Sequence, residues 1–285
     1  MGALPAHRSR LLLPLPLRGE GWGEGSPAPT IRNLTSLPLI TDWQFYAISI
    51  PAVLLLGVSK SGFGAGFGSL AVPMMAMAVT VPQAAAILMP ILLLMDIMGL
   101  AAWRKHFDWK LLRFLLPWGL LGTVIGTLLF RTLDPRMVAG IVGIFTLLFL
   151  AQRLLFPPKP DSPNPPKWLG VLLTTTSGFT SFVAHAGGPP INAYVLPLRM
   201  PPPVYTATMA VFFFTMNFSK WIPYAWLGLL DLRNMTTSLA LLPFAPIGVV
   251  VGVRLAHRIK PVLFYRFIAV GMLLTGCKLV VDGFF

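Results

Sequence analysis

The chain has 285 residues, 55% of them hydrophobic and only 11% charged. Soluble domains run near roughly 25% charged, so the composition excludes an ordinary soluble domain and reads as a polytopic membrane protein. Its formal net charge of +13 comes mostly from bases in short loops between apolar segments. That pattern is the positive-inside signal of membrane topology, and no nucleic-acid partner is expected. The single cysteine, Cys277, excludes an internal disulfide and a cysteine-based zinc cluster, and no cofactor is expected.

Residues 1–38 differ from the rest. They are rich in proline and glycine, and their apolar run Leu11–Leu17 is interrupted by prolines, unlike the continuous core of a signal peptide. The expectation is a disordered tail or a reading frame begun too far upstream. Ten apolar segments follow, near 43–58, 64–80, 82–103, 109–131, 136–156, 168–184, 188–199, 203–227, 233–254 and 262–282. A full crossing needs about 20 residues, a length that the third, fourth, fifth, eighth, ninth and tenth meet. The pairs 43–58/64–80 and 168–184/188–199 are short or interrupted. They predict two broken or re-entrant helix pairs meeting at mid-membrane, with full crossing as the alternative.

The first interruption, Gly57–Pro73, carries glycines at 57, 62, 64, 66 and 68 with Lys60 and three serines. Backbone this rich in glycine is a poor helix former. Within a bilayer, non-helical backbone survives only where it is buried in protein or faces water. The stretch Ser177–Pro190 repeats the anomaly about 120 residues later. Two glycine-rich breaks in matching places point to the binding site of a secondary transporter.

An internal repeat accompanies them. Pro117, Gly122, Gly126 and Pro135 recur as Pro243, Gly248, Gly252 and Pro261 at an offset of 126. Pro82 to Asp96 recurs as Pro203 to Asn217 at an offset of 121. The predicted fold is all-α, with two transmembrane repeats at 39–156 and 168–285 joined by a proline-rich linker at 157–167. Each repeat is a broken or re-entrant helix pair plus three transmembrane helices. Five segments per half is an odd number, so the second half enters from the opposite face as an inverted repeat. Twelve loop bases on one side against four on the other assign the first side to the cytoplasm and both termini to the outside. The Gly122/Gly126 and Gly248/Gly252 pairs predict close packing of helices.

Lys60 and Lys220 are the bases left inside apolar sequence, where a charge is costly and marks a functional candidate. Lys60 stands among Ser59, Ser61, Gly62, Gly64 and Gly66, where free backbone N–H groups are expected to help it bind an anion. The alternative is a side chain that snorkels to the membrane surface. Lys220 follows Asn217 by three residues on one helix face and either contacts substrate or pairs with a buried acid. Asp96 is the acid inside an apolar helix core, with Asn217 at its repeat position. It could take up a proton, coordinate a cation, or pair with Lys60 or Lys220. His185 precedes Gly187 and Gly188 at the second break and is either a substrate contact or a hydrogen-bonded core residue. Ser177, Thr180, Ser181 and Asn192 carry groups able to hydrogen-bond a sulfonate or carboxylate oxygen. GxSxG, HExxH and P-loop motifs are absent, so no enzyme activity is expected.

With these residues in place, the chain resembles the sulfite exporter TauE/SafE family of membrane permeases over about residues 43–283. The resemblance rests on Gly62–Pro73 followed by Pro82–Ala86, and on the Asp96 helix leading to Arg104–Trp109. In the second half it rests on His185–Pro190, then Thr206–Thr208 and the helix Phe212–Lys220. It implies transport of small sulfur-containing anions such as sulfite, sulfonates or sulfoacetate across the bacterial inner membrane. The expected substrate contacts are Ser59, Lys60, Ser61, Gly62, Gly64, Gly66, Ser177, His185, Gly187, Gly188, Asn192, Asn217 and Lys220. Asp96 is the expected coupling residue for a proton or sodium ion, and a homodimer is compatible with such a chain. The competing readings are a channel or carrier for another small anion such as a carboxylate, and a membrane assembly factor that transports nothing.

Overall fold

The computed structural model describes residues 39–63, 68–104, 106–155 and 164–285. The N-terminal stretch 1–38, Gly64, Gly66 and linker residues 157–163 lie outside the described residues. Among those described, every regular element is helical. The first part of the chain forms α1 (Trp43–Gly62), a 3-10 turn at Gly68–Leu70, α2 (Ala71–Met75), α3 (Val81–Trp103), α4 (Trp109–Leu129) and α5 (Pro135–Leu155). The second part forms α6 (Lys167–Ala184), α7 (Gly188–Val195), α8 (Pro202–Ser219), α9 (Trp221–Trp226), α10 (Leu232–Leu241), α11 (Phe244–Arg258) and α12 (Pro261–Phe284).

Acidic side chains start several of these helices by accepting from otherwise unpartnered N–H groups. Asp42 caps α1 through the Gln44 amide, Asp108 caps α4 through Leu111, and Asp231 caps α10 through Asn234. Asp134 accepts from the Arg136 amide at the start of α5, and Asp282 pairs with Lys278 one turn away. Asp96 is therefore the acid among the described residues with no role at a helix end or on the surface.

Among the described residues, α1, α3, α4 and Val262–Phe284 of α12 are long and apolar enough to cross a membrane, and the bent pair α10/α11 would make a fifth. Large apolar side chains such as Leu128, Leu148, Ile222 and Val262 stand exposed on the outer faces. A soluble protein would bury such surface, whereas hydrocarbon accepts it.

Glycines set how closely the helices approach. In α1, Gly57 lies against the Gly248 backbone of α11, where an added Cβ would be 2.9 Å from the Gly248 Cα. In α6, Gly178 lies against α4 so tightly that a Cβ would be 1.9 Å from the Gly119 carbonyl oxygen. The pairs Gly122/Gly126 and Gly248/Gly252 sit at these two contacts, as small residues that let helix backbones touch. The remaining close pairs are α5 on α12 and α3 on α8. One apolar core joins α1, α2, α3, α10 and α11, and a second joins α4, α6, α7, α8 and α12.

Three expectations require correction. The glycine–serine stretch is helical through Gly62, so Lys60 lies in the last turn of α1 and not on a loop. Packing of Gly57 and Gly62 on Gly248 and Gly252 overrides their poor helix propensity. The apolar segment 203–227 breaks into α8 and α9 at Lys220, because Pro223 lacks an N–H and its ring opposes the Ser219 carbonyl four residues back. The segment 233–254 bends by 50° between α10 and α11. Its counterpart α4 stays continuous through Pro117, whereas the bend carries both Pro243 and Pro246, which remove N–H groups from successive turns.

Candidate functional site

The site is built where two helices stop inside the protein. The last carbonyls of a helix have no intrahelical donor and need partners from elsewhere. At the end of α1, Trp103 Nε1 donates to the Ser61 carbonyl at 2.8 Å and the Thr206 hydroxyl donates to the Gly62 carbonyl at 3.3 Å. At the end of α6, the Tyr224 hydroxyl donates to the Phe182 carbonyl at 3.1 Å. His185 then takes a left-handed backbone (φ 51°), which stops α6. The turn is pinned by hydroxyls: Ser177 donates to the Gly187 carbonyl at 2.6 Å and Thr180 to the Ala186 carbonyl at 3.1 Å.

Between the two breaks lies a cavity of about 40 Å³ open to the centres of water molecules. Roughly 10–15 Å³ of such space holds one water, so the cavity has room for a few waters or one small ligand. Both halves line it. Leu56 and Lys60 of α1, Gly68, Val72 of α2, and Leu88 and Leu92 of α3 face Ser181, His185, Gly188, and Phe213 and Asn217 of α8. The polar groups therefore gather on Lys60, Ser181, His185 and Asn217, and the remaining wall is largely apolar.

A chain of charged and amide groups runs beside the cavity. The Lys60 ammonium is ion-paired with the Asp96 carboxylate. Asn217 Nδ2 donates to Asp96 Oδ2 at 2.8 Å. Asn217 Oδ1 accepts from Lys220 Nζ at 3.2 Å, and the same ammonium donates to Ser181 at its carbonyl (2.8 Å) and its hydroxyl oxygen (2.7 Å). Asp96 is 1% exposed and Lys220 0%. Two lysines thus flank one buried carboxylate. His185 lines the cavity; its Nε2 has no hydrogen-bond partner among the described residues, and its Nδ1 lies 3.4 Å from the Tyr224 hydroxyl.

The family model described as Sulfite exporter TauE/SafE matches residues 49–279. The chain belongs to the TauE/SafE family. No curated protein and no solved structure matches it. The matched span contains every residue lining the cavity. A family of sulfite exporters is a family of membrane transporters, in keeping with the apolar helices and the exposed apolar faces of this member.

In this TauE/SafE protein the structure gathers only some of the predicted contacts. Lys60, His185, Gly188 and Asn217 line the cavity, and Asp96 joins them through Lys60 and Asn217. Ser59 is buried beside Lys60 in α1. Ser61 donates to the Gly57 and Val249 carbonyls, and Gly62 packs on Gly252, so both belong to the α1–α11 contact. Ser177 and Gly187 form the second turn itself. Asn192 is buried away from the cavity, its Oδ1 accepting from the Tyr205 hydroxyl at 2.6 Å. Lys220 stands behind the cavity wall and reaches it through Asn217 and Ser181.

Lys60 lies at a helix C-terminal turn, which offers carbonyls, while Gly64 and Gly66 of the expected nest of backbone N–H groups lie outside the described residues. The helix α7, which begins at the cavity, opens with Gly188, Pro189 and Pro190, and the two prolines carry no N–H. Among the described residues, the donors bonded beside the cavity are the side chains of Asn217 and Lys220. Sequence reading undervalued Ser181 and missed the apolar wall of Leu56, Val72, Leu88, Leu92 and Phe213. Ser181 lies 121 residues after Lys60, the offset that relates Asp96 to Asn217, and that register was the available signal.

Proposed function

We propose that this protein is a secondary transporter that moves small sulfur-containing anions such as sulfite or short sulfonates across the bacterial inner membrane. The observation that carries the reading is the small cavity between the two helix breaks, where Lys60, Ser181, His185 and Asn217 stand among apolar side chains, with Asp96 and Lys220 beside it. Lys60 is the direct charge partner for the anion, with Ser181, His185 and Asn217 as neighbouring hydrogen-bonding groups.

Alternating access by rocking of two inverted repeats is the transport mode this reading adopts. It is supported by helix pairings that keep their pattern when the halves are exchanged: α1 packs on α11 as α6 packs on α4, while α3–α8 and α5–α12 pair counterparts with each other. Coupling to a proton or sodium ion runs through Asp96. An anion arriving in the cavity competes with Asp96 for the Lys60 ammonium, and the carboxylate released from that pair takes up the cation. Asp96→Asn is then expected to abolish gradient-driven uptake while leaving substrate binding in place. Normal accumulation by that variant would remove Asp96 from the coupling.

The direct test is flux of labelled sulfite and methanesulfonate into liposomes holding the purified protein alone. Saturable flux that depends on Lys60 supports the transporter. Absence of flux for these anions and for a panel of small carboxylates would favour the assembly-factor alternative.

A further inference from the structure

The two halves place an ammonium group beside the central bridge by different routes. At the offset of 121, Lys60 corresponds to Ser181, Asp96 to Asn217, and Gly99 to Lys220. The second half therefore lacks a lysine at the matching position of its broken helix, and Lys220 at the end of α8 fills the gap. Lys220 Nζ reaches Ser181, the counterpart of Lys60, and Asn217, the counterpart of Asp96. The resulting chain reads Lys60, Asp96, Asn217, Lys220, with the amide–carboxylate bond at its centre.

An ammonium has three N–H donors and no acceptor, so every atom it bonds must present a lone pair. This fixes the polarity of two cavity-lining groups. The Ser181 hydroxyl spends a lone pair on Lys220 and keeps its proton to donate. The Asn217 carbonyl oxygen turns to Lys220, its amide nitrogen turns to Asp96, and one amide hydrogen is left over. Both groups then offer hydrogens to a ligand, which suits an anion and opposes a cation.

We propose that Lys220 is the second half's equivalent of Lys60 and acts as a positioning residue, holding Ser181 and Asn217 with their donors toward the cavity and supplying the positive charge that the Lys60–Asp96 pair cancels. The inference rests on the anion-site reading of the cavity. It has a consequence that does not depend on any ligand: the carboxylate can sit at either end of the bridge. Exchanging the two residues in Asp96→Asn/Asn217→Asp rebuilds the chain in mirror image. The amide at position 96 accepts from Lys60 and donates to the carboxylate at position 217, which pairs with Lys220.

The test measures thermal unfolding of the purified protein at pH 8, with Lys60→Met and Lys220→Met each placed in the wild-type and the exchanged backgrounds. Removing the lysine that faces the carboxylate strands a buried charge, the costlier change in each background. The expected result is a reversal: Lys60→Met lowers Tm more in the wild type, and Lys220→Met lowers it more in the exchanged protein. If Lys60→Met stays the more damaging change in both backgrounds, or the exchanged protein does not fold, the equivalence is overturned. Methanesulfonate binding supplies a second arm. Asn217→Asp alone, with two acids against two lysines, should bind at least tenfold more weakly than wild type, and the exchange should restore binding to within about threefold. Lys220→Met in the wild-type background should weaken binding at least tenfold and be rescued in part by Lys220→Arg. Failure of wild type to bind any of sulfite, methanesulfonate or sulfoacetate would count against the anion-site reading, while the Tm reversal would still decide the equivalence of the two lysines.

Discussion

The two helix breaks solve one backbone problem with different chemistry. The α6–α7 break is a short turn with a left-handed His185, in which the hydroxyls of Ser177 and Thr180 satisfy the Gly187 and Ala186 carbonyls locally while Lys220 and Tyr224 reach the Ser181 and Phe182 carbonyls from outside. The end of α1 draws its partners from distant residues, Trp103 and Thr206, and places a charged side chain, Lys60, in its last turn. Both helix ends draw on distant donors; the breaks differ in the hydroxyl-pinned turn after α6 and the charged side chain in the last turn of α1. Lys60 at the first break and His185 at the second both line the cavity between them.

The comparison can be broken most severely at the first break. Lys60→Met leaves the Asp96 carboxylate without an ammonium and is expected to cost about 3–5 kcal/mol of stability, read by thermal or denaturant unfolding in detergent. Adding Asp96→Asn should recover most of that loss; no recovery would mean that Lys60 matters through packing alone. Next come the seats of the two broken helices. Gly178→Ala should cost about 1–3 kcal/mol or more by pushing α6 from α4, and Gly57→Ala less, since a Cβ at Gly178 meets a carbonyl at 1.9 Å and one at Gly57 meets a Cα at 2.9 Å. Equal Tm losses would show that both contacts relax alike.

At the second break, Ser177→Ala removes the donor to the buried Gly187 carbonyl and should lower stability by about 1–2 kcal/mol. Unchanged Tm would show that the turn does not depend on its hydroxyls. The smallest effect on stability is expected at His185. His185→Gly relieves a left-handed backbone worth about 1 kcal/mol and should leave Tm equal or slightly raised, yet weaken anion binding by removing a cavity-lining ring. Anion affinity equal to wild type would leave His185 as a turn residue only.

Much of this was legible in the sequence. Low charge content and apolar segment lengths gave the helical membrane class, and the glycine spacings marked α4 and α11 as closely packed helices, while their partners α6 and α1 emerge only from the fold. Lys60, Asp96, His185 and Asn217 stood out because charged and polar groups are expensive in apolar surroundings. What the sequence hid has physical causes. Lys60 sits in a helix because tertiary contact through Gly57 and Gly62 outweighs local propensity. Asn192 is as buried and polar as Asn217, and only the fold shows that Tyr205 takes its Oδ1 while Asn217 faces the cavity. The breaks at Lys220 and Pro243 depend on prolines that single apolar segments can also absorb, as Pro51, Pro90 and Pro117 do within α1, α3 and α4.

The central claim is that Lys60 binds the transported anion in the cavity between the breaks. Its most direct test is thermal stabilisation of the purified protein by sulfite, sulfonates and small carboxylates, because a ligand that binds only the folded state raises its stability. The comparison is with Lys60→Met/Asp96→Asn, which removes the ammonium without stranding its carboxylate. The account predicts a sulfur anion that raises the Tm of the wild type and leaves that of the double variant unmoved. Equal stabilisation of the two proteins would place the anion elsewhere and contradict the account.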